Sequence, residues 1–203
     1  MIKKDFVKEL KKTDLTDIKK IMDYVKFYQR EIYINVISPE VAEDINKIIT
    51  FWNTVDEESM KSYAEREPIK VFINSEGGLL DSALVIMDIL KISKTPIYTI
   101  NIGKVNREAF YIYMAGHKRL MYPNAFFCYQ APKIPSIIEN KSSFYNYKVF
   151  YEKTNKELKE FILDKIKITD TQYENHSNND WWFHADDATK LGICNEIIRT
   201  HFL

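Results

Sequence analysis

Gly77 and Gly78 close the apolar run Val71-Phe72-Ile73-Asn74-Ser75 by way of Glu76, and chemistry first becomes available there in this 203-residue chain. A Gly-Gly turn leaves backbone N–H groups uncovered, and such donors can stabilise a carbonyl oxygen that gains negative charge. The same pair can equally do no more than turn a strand into a helix. Candidate nucleophiles near it are few. Ser75 reads as a turn or capping hydroxyl. Cys128 sits in an apolar stretch and reads as a buried hydrophobe rather than a partner of His117, His176 or His184. The four histidines lack HxxxH and HxH spacing, and Cys128 and Cys194 form no CxxC, so neither a metal, a disulfide framework nor a cofactor is expected. Glu108 falls on a predicted helix, where a lone carboxylate is expected to be a solvated charge rather than a proton carrier.

Alternating elements must position these groups. Residues 3–28 carry Phe6, Val7, Leu10, Leu15, Ile18, Ile21, Met22 and Val25 at helical spacing, so residues 1–29 read as an N-terminal helical extension to a single domain, 30–203. A β-rich stretch, Arg30 to Ile37, leads to Ser38-Pro39, a cap and first-turn proline that start a helix to about Val55. Asp56 to Pro68 is polar and reads as a solvated helix end and loop. Strand 70–74, helix 79–92, strand 97–102, a helix near 108–115 and strand 125–129 follow, which predicts an α/β domain with a largely parallel sheet. Residues 140–167 form a long amphipathic helix able to project and meet another subunit. Asp180, two tryptophans, a short helix 185–191, the cap-like Gly192 and a strand 193–198 complete the chain.

Composition narrows the class of partner. With 29 basic and 29 acidic residues there is no net field to attract nucleic acid or an anionic membrane, and near-neutrality favours self-association. The first residues lack the apolar core of a signal peptide and no stretch reaches about 18 apolar residues, so a cytoplasmic protein is expected.

Four motifs in order carry a resemblance. Phe72-Ile73-Asn74-Ser75-Glu76-Gly77-Gly78 is similar to the strand and Ser-Pro-Gly-Gly turn of the proteolytic subunits of Clp proteases, which share their fold with the enoyl-CoA hydratases. Gly103-Lys104-Val105-Asn106-Arg107-Glu108-Ala109-Phe110, leading into Ala115-Gly116, resembles that family's nucleophile segment. Pro123-Asn124 followed by Gln130-Ala131-Pro132 resembles its base segment, and Asp180-Trp181-Trp182 with Ala185 to Ile193 its aspartate segment. The resemblance covers about Arg30 to Ile198 and implies a ClpP/crotonase-like α/β domain of repeated β-β-α units with a protruding handle helix. It places the family's serine on Arg107 and its histidine on Gln130, and keeps only Asp180. It also implies that Gly77, Gly78 and Glu108 line the oxyanion or substrate backbone.

A guanidinium is always protonated and only donates, and a glutamine side chain cannot take up a proton near neutral pH. The residues therefore argue against acyl transfer, which needs a hydroxyl and a base. Arg107 and Asp180 are expected to form an ion pair that fills the site, or else to stand as two separately solvated groups. Three functions remain open. The first is an inactive structural or regulatory subunit in a ring with itself or an active paralogue. The second is an active serine-type endopeptidase working with an AAA+ unfoldase. The third is a peptide- or anion-binding module.

Overall fold

The computed structural model of the chain describes residues 15–132, 141–177 and 179–199. Helix α1, Leu15–Tyr28, ends by placing Phe27 against the rings of Phe51 and Trp52, with centroids 5.2 and 5.4 Å away. Residues 3–14 of the expected helical extension lie outside the described residues. Strand β1, Glu31–Ile34, then enters the sheet beside β2, Ile69–Ser75, which in turn lies beside β3, Ile97–Asn106, all parallel. Ile34, Ile69, Val71, Ile73, Ile97 and Ile100 are fully buried, as expected for parallel strands covered on both faces.

Helix α2, Pro39–Glu58, starts as its sequence dictates: Ser38 is extended and its hydroxyl accepts from the Val41 N–H. Its buried stripe runs Ala42, Ile45, Ile49, Trp52 and then Asp56 at the same spacing. The polar composition of Asp56 to Pro68 predicts a solvated helix end, and for Asp56 that is wrong. The residue is 1% exposed because it occupies the next step of the core-facing stripe. Arg30 meets it with two hydrogen bonds of 2.6 and 2.7 Å, Thr95 adds a third at 2.7 Å, and the guanidinium lies 4.3 Å from the Trp52 ring centroid. Helix α3, Leu80–Ile92, connects β2 to β3 and packs against α2 and the later helix Glu108–Met114.

Strand β3 is longer than the six residues its apolar run suggests, because it forks. Its first half, Tyr98 to Asn101, pairs with β4, Lys118–Met121, and its second half, Lys104 to Asn106, with β5, Phe126–Tyr129. Two asparagines bridge the fork. Asn101 Nδ2 donates to the Phe126 carbonyl at 2.9 Å and its Oδ1 accepts from the Gly103 N–H at 3.1 Å, while Asn74 Oδ1 accepts from the Lys104 N–H at 3.1 Å. Side chains thus replace ladder bonds where the strand changes neighbour. The short β4 is absent from the elements read out of the sequence.

Helix α4, Glu108–Met114, is buried along its whole length. Helix α5, Lys141–Leu163, ends four residues before the expected 167, and Tyr151, Leu158 and Ile162 pack into the core while Tyr145, Val149 and Phe150 face outward. A further helix, α6, Asp170–Ser177, and a strand, β6, Trp181–His184, were not anticipated; β6 pairs antiparallel with β5. Helix α7, Ala185–Lys190, ends at Gly192, whose φ of +77° lets the Ile193 and Cys194 N–H groups return to the Ala188 carbonyl. That return shortens the last strand, β7, to Glu196–Ile197 instead of 193–198.

Candidate functional site

The site forms where β2, β3 and β5 end together. After β3 the chain turns sharply into α4 at Arg107, whose φ of 51° and ψ of −124° are a strained, sparsely populated conformation. Its N–H is tied to the Cys128 carbonyl at 3.1 Å, so β5 fixes the bend. A strand-to-helix elbow of this kind holds one side chain out from the end of the sheet, which is the use hydrolases make of it for a nucleophile. Here the displayed group is a guanidinium, with 56% of the side chain exposed.

Beside the elbow runs the glycine turn. Gly77 has a φ of +109°, open to glycine alone at low cost, and Gly78 abuts Ile37, whose Cβ would stand 2.7 Å from any Cβ added to it. Both amides are engaged. The Gly77 N–H donates to the Ser75 hydroxyl at 3.2 Å, which gives Ser75 the turn role its position suggests. The Gly78 N–H donates to Glu108 Oε2 at 3.1 Å. The expectation that Glu108 is a solvated charge is therefore overturned. It is 6% exposed, folded back from the first turn of α4 onto the glycines, with Arg107 Nε at 3.8 Å.

Around this core, Asn106 Nδ2 donates to Glu76 Oε2 at 2.6 Å and Lys104 pairs with Glu76. The Lys104 contact, then Asn106, holds the Glu76 carboxyl below its usual range. Cys128 is buried and its thiol is pushed up to about 11, first by burial and then by Asp180 and Glu76, so the thiolate that reactivity requires is disfavoured. His117 lies away from this end of the sheet. Its Nδ1 accepts from the Ile97 N–H at 3.0 Å, and burial lowers its pKa. His176 stacks on Trp181 at 4.4 Å, and His184 precedes α7 without capping it through its side chain.

Gln130 follows β5 and Asp180 precedes β6, and these two strands pair antiparallel with Tyr129 against Trp181, so both residues flank the same end of that pairing. Topology thus brings Arg107, Gln130 and Asp180 to the end of one sheet. The expected ion pair between Arg107 and Asp180 is not formed: the guanidinium's ion-pair partner is Glu108, the adjacent residue in sequence, and Asp180 is exposed and joins no ion pair among the described residues.

A feature that sequence reasoning missed lies under the elbow. Tyr111 donates to the Tyr129 hydroxyl at 3.3 Å, and Tyr129 shares a hydrogen bond with Tyr173. Burial raises the pKa of all three phenols, so the chain is a neutral, structural one that ties α4, β5 and α6 together. The three tyrosines lie 18 and 44 residues apart along the chain, and no local spacing signals that they meet.

A largely parallel sheet that ends in a strained strand-to-helix elbow, beside a glycine turn with one amide on a carboxylate, defines an α/β protein with its candidate site at one end of the sheet. The Clp protease family model matches residues 16–201, and the chain belongs to the Clp protease family. It is 23% identical over 193 residues to ATP-dependent Clp protease proteolytic subunit 2 of Treponema denticola, covering 94% of this chain and 92% of that one. It is 25% identical to proteolytic subunit 3 of Rhizobium meliloti, covering 98% of each. A solved point mutant of ClpP1 from Listeria monocytogenes superposes with a TM-score of 0.74 at 22% identity, over 88% of this chain and 96% of that one, and establishes the fold. Among the described residues, no helix is long and apolar enough to cross a membrane and no cluster of three or more His, Cys, Asp or Glu side chains could hold a metal.

Proposed function

We propose that this chain is a catalytically silent subunit of an ATP-dependent Clp-type protease assembly, structural or regulatory in role. In this reading Arg107, Gln130 and Asp180 occupy the three triad positions and only the aspartate is retained. Residues 1–29 are an extension to the domain 30–203, and the chain joins a ring of itself or of an active paralogue, served by an AAA+ unfoldase in the cytoplasm.

The observation that supports it is Arg107 at the elbow. Hydrolysis needs a group there that can attack and a neighbour that can take its proton. A guanidinium does neither. The nearest alternative nucleophile, Cys128, is buried with its thiol pushed up to about 11. The binding-module reading is disfavoured because both glycine amides are already engaged within the chain.

The test is cleavage of a short fluorogenic peptide by the purified chain, alone and mixed with an active family member, alongside labelling by a fluorophosphonate and native mass spectrometry of the mixture. The expected result is no turnover and no label from the chain alone, with mixed or homomeric rings in the mass spectrum. Turnover blocked by the fluorophosphonate sinks the silent reading. A strict monomer that enters no ring with either species sinks the subunit role.

A further inference from the structure

We infer that Glu108 is an internal plug: its carboxylate occupies the place on the glycine turn where a substrate carbonyl oxygen would be received, so the cleft is closed by a second lesion, separate from the lost nucleophile and base. The inference rests on reading the chain as a silent member of its family and specifies what fills its cleft.

Three observations converge on Glu108. Its Oε2 accepts the Gly78 N–H at 3.1 Å. The same oxygen stands only 2.5 Å from where a Cβ on Gly77 would lie, so the bare face of the turn is what admits it. The side chain is buried, and among the described residues its one ion-pair partner is Arg107, at 3.8 Å. The remaining donor of the turn, the Gly77 N–H, is satisfied by Ser75, and so the turn has no free glycine amide to offer. Backbone donors prearranged for a developing oxyanion suit a full carboxylate as well, since both present a negative oxygen. A carboxylate at the first residue of α4 also reaches that point without any substrate having to be bound.

Two consequences separate this from the loss of the triad alone. Restoring a serine and a histidine by Arg107→Ser with Gln130→His leaves the cleft closed, and adding Glu108→Ala opens it. Loss of one oxyanion donor costs on the order of 10²–10³-fold in turnover, so the triple variant should exceed the double by about that factor. The direct readout needs no turnover. Gly77-Gly78 is the only Gly-Gly pair in the sequence, so glycine labelled with ¹³C at the carbonyl and ¹⁵N at the amide gives one carbonyl-correlated amide resonance, that of Gly78. In the full chain this resonance should lie downfield and ignore added sodium formate. In Glu108→Ala it should move upfield and then return downfield as formate is titrated in, and in the equal-volume Glu108→Gln it should move upfield in part. These shifts support the plug even if both revertants are silent.

A Gly78 resonance in the unmodified chain that titrates with formate as readily as in Glu108→Ala overturns the plug. So does a resonance unchanged in both Glu108 variants, and so does a double variant as active as the triple. None of these touches the silent-subunit reading, which falls only if the unmodified chain itself cleaves peptide.

Discussion

Two carboxylates are buried among the described residues, and they are answered in opposite ways. Asp56, at the end of α2, receives two hydrogen bonds from Arg30 and one from Thr95, and Arg30 is itself fixed by the Glu67 carbonyl at 2.9 Å and by the Trp52 ring. Glu108, at the start of α4, receives one backbone N–H at 3.1 Å and has a half-exposed guanidinium at 3.8 Å. A buried charge with a bidentate partner is part of the framework, and removing one side strands the other. A buried carboxylate held by a single amide and a more distant guanidinium has no such partner, and should be the less costly of the two to exchange.

The largest effect should come from breaking the first of these. Asp56→Asn keeps the shape but leaves the Arg30 charge, 6% exposed, without a counter-ion, and should cost about 3–5 kcal/mol in urea unfolding. The pair should also show in acid. The Arg30 hydrogen bonds hold the Asp56 carboxyl below its usual range despite burial. A carboxyl with a depressed folded pKa binds its proton more readily unfolded. Its contribution is complete above the unfolded value near 3.9, and drains as pH falls from there through the lower folded value. The difference in stability between the unmodified chain and Asp56→Asn should therefore be constant from neutrality down to about pH 5 and shrink below it. A gap that stays constant to pH 2 would break the assignment.

Next is the turn that holds Glu108. Gly78 bridges to Ile37, and an added Cβ meets that residue's backbone and Cβ, neither of which can move aside alone. Gly78→Ala should cost roughly 1–3 kcal/mol through forced displacement of β1's exit. Thermal melts of the two variants then rank framework above turn; a Gly78→Ala loss as large as that of Asp56→Asn would remove the distinction drawn between the two regions.

The ranking also tracks what could be read from the sequence. Ser38-Pro39, the glycine pair and the order of strands and helices were legible because capping, turn chemistry and apolar runs are local signals, and α2 and α3 fall within a few residues of their expected ends. The α/β class and the Clp resemblance followed from them. Strands β4 and β6 were not legible: Lys118–Met121 is half charged and Trp181–His184 follows a polar stretch, so neither shows the unbroken apolar run that marked β5. The fork in β3 depends on two asparagine side chains acting as backbone, which no periodicity reveals. Asp56 looked solvated because its loop-like composition outweighed its place on the helical stripe. At the site, the resemblance put the triad positions on Arg107, Gln130 and Asp180, and the pairing of β5 with β6 ends at Tyr129 and Trp181, one residue short of Gln130 and Asp180. Sequence reasoning misassigned the partner of Arg107, because charge alone pointed to Asp180 while the elbow sets the guanidinium beside Glu108.

Smaller still, and opposite in sign, is the elbow. Arg107 holds a φ of 51° and a ψ of −124°, a conformation that costs a non-glycine residue about 1–3 kcal/mol. Glycine adopts it freely but gives up roughly 0.5–1 kcal/mol of chain entropy. Arg107→Gly should therefore raise stability by about 1 kcal/mol in urea, an unusual gain for a single substitution, and a loss of that size would mean the guanidinium contact to Glu108 outweighs the strain.

The smallest effect should belong to Glu108→Gln. The amide oxygen can still accept from Gly78, the volume is kept, and the one cation left behind is on an Arg107 side chain 56% exposed, which water can compensate. The change should stay within about 1 kcal/mol, against the several expected for the matching exchange at Asp56. Measured side by side in the same urea series, the two isosteric carboxylate-to-amide exchanges weigh the regions directly. Equal losses would mean that Glu108 is framework and that the glycine turn was rebuilt around it, whereas a near-zero result leaves the carboxylate as a guest in a cleft whose donors were set for another oxygen.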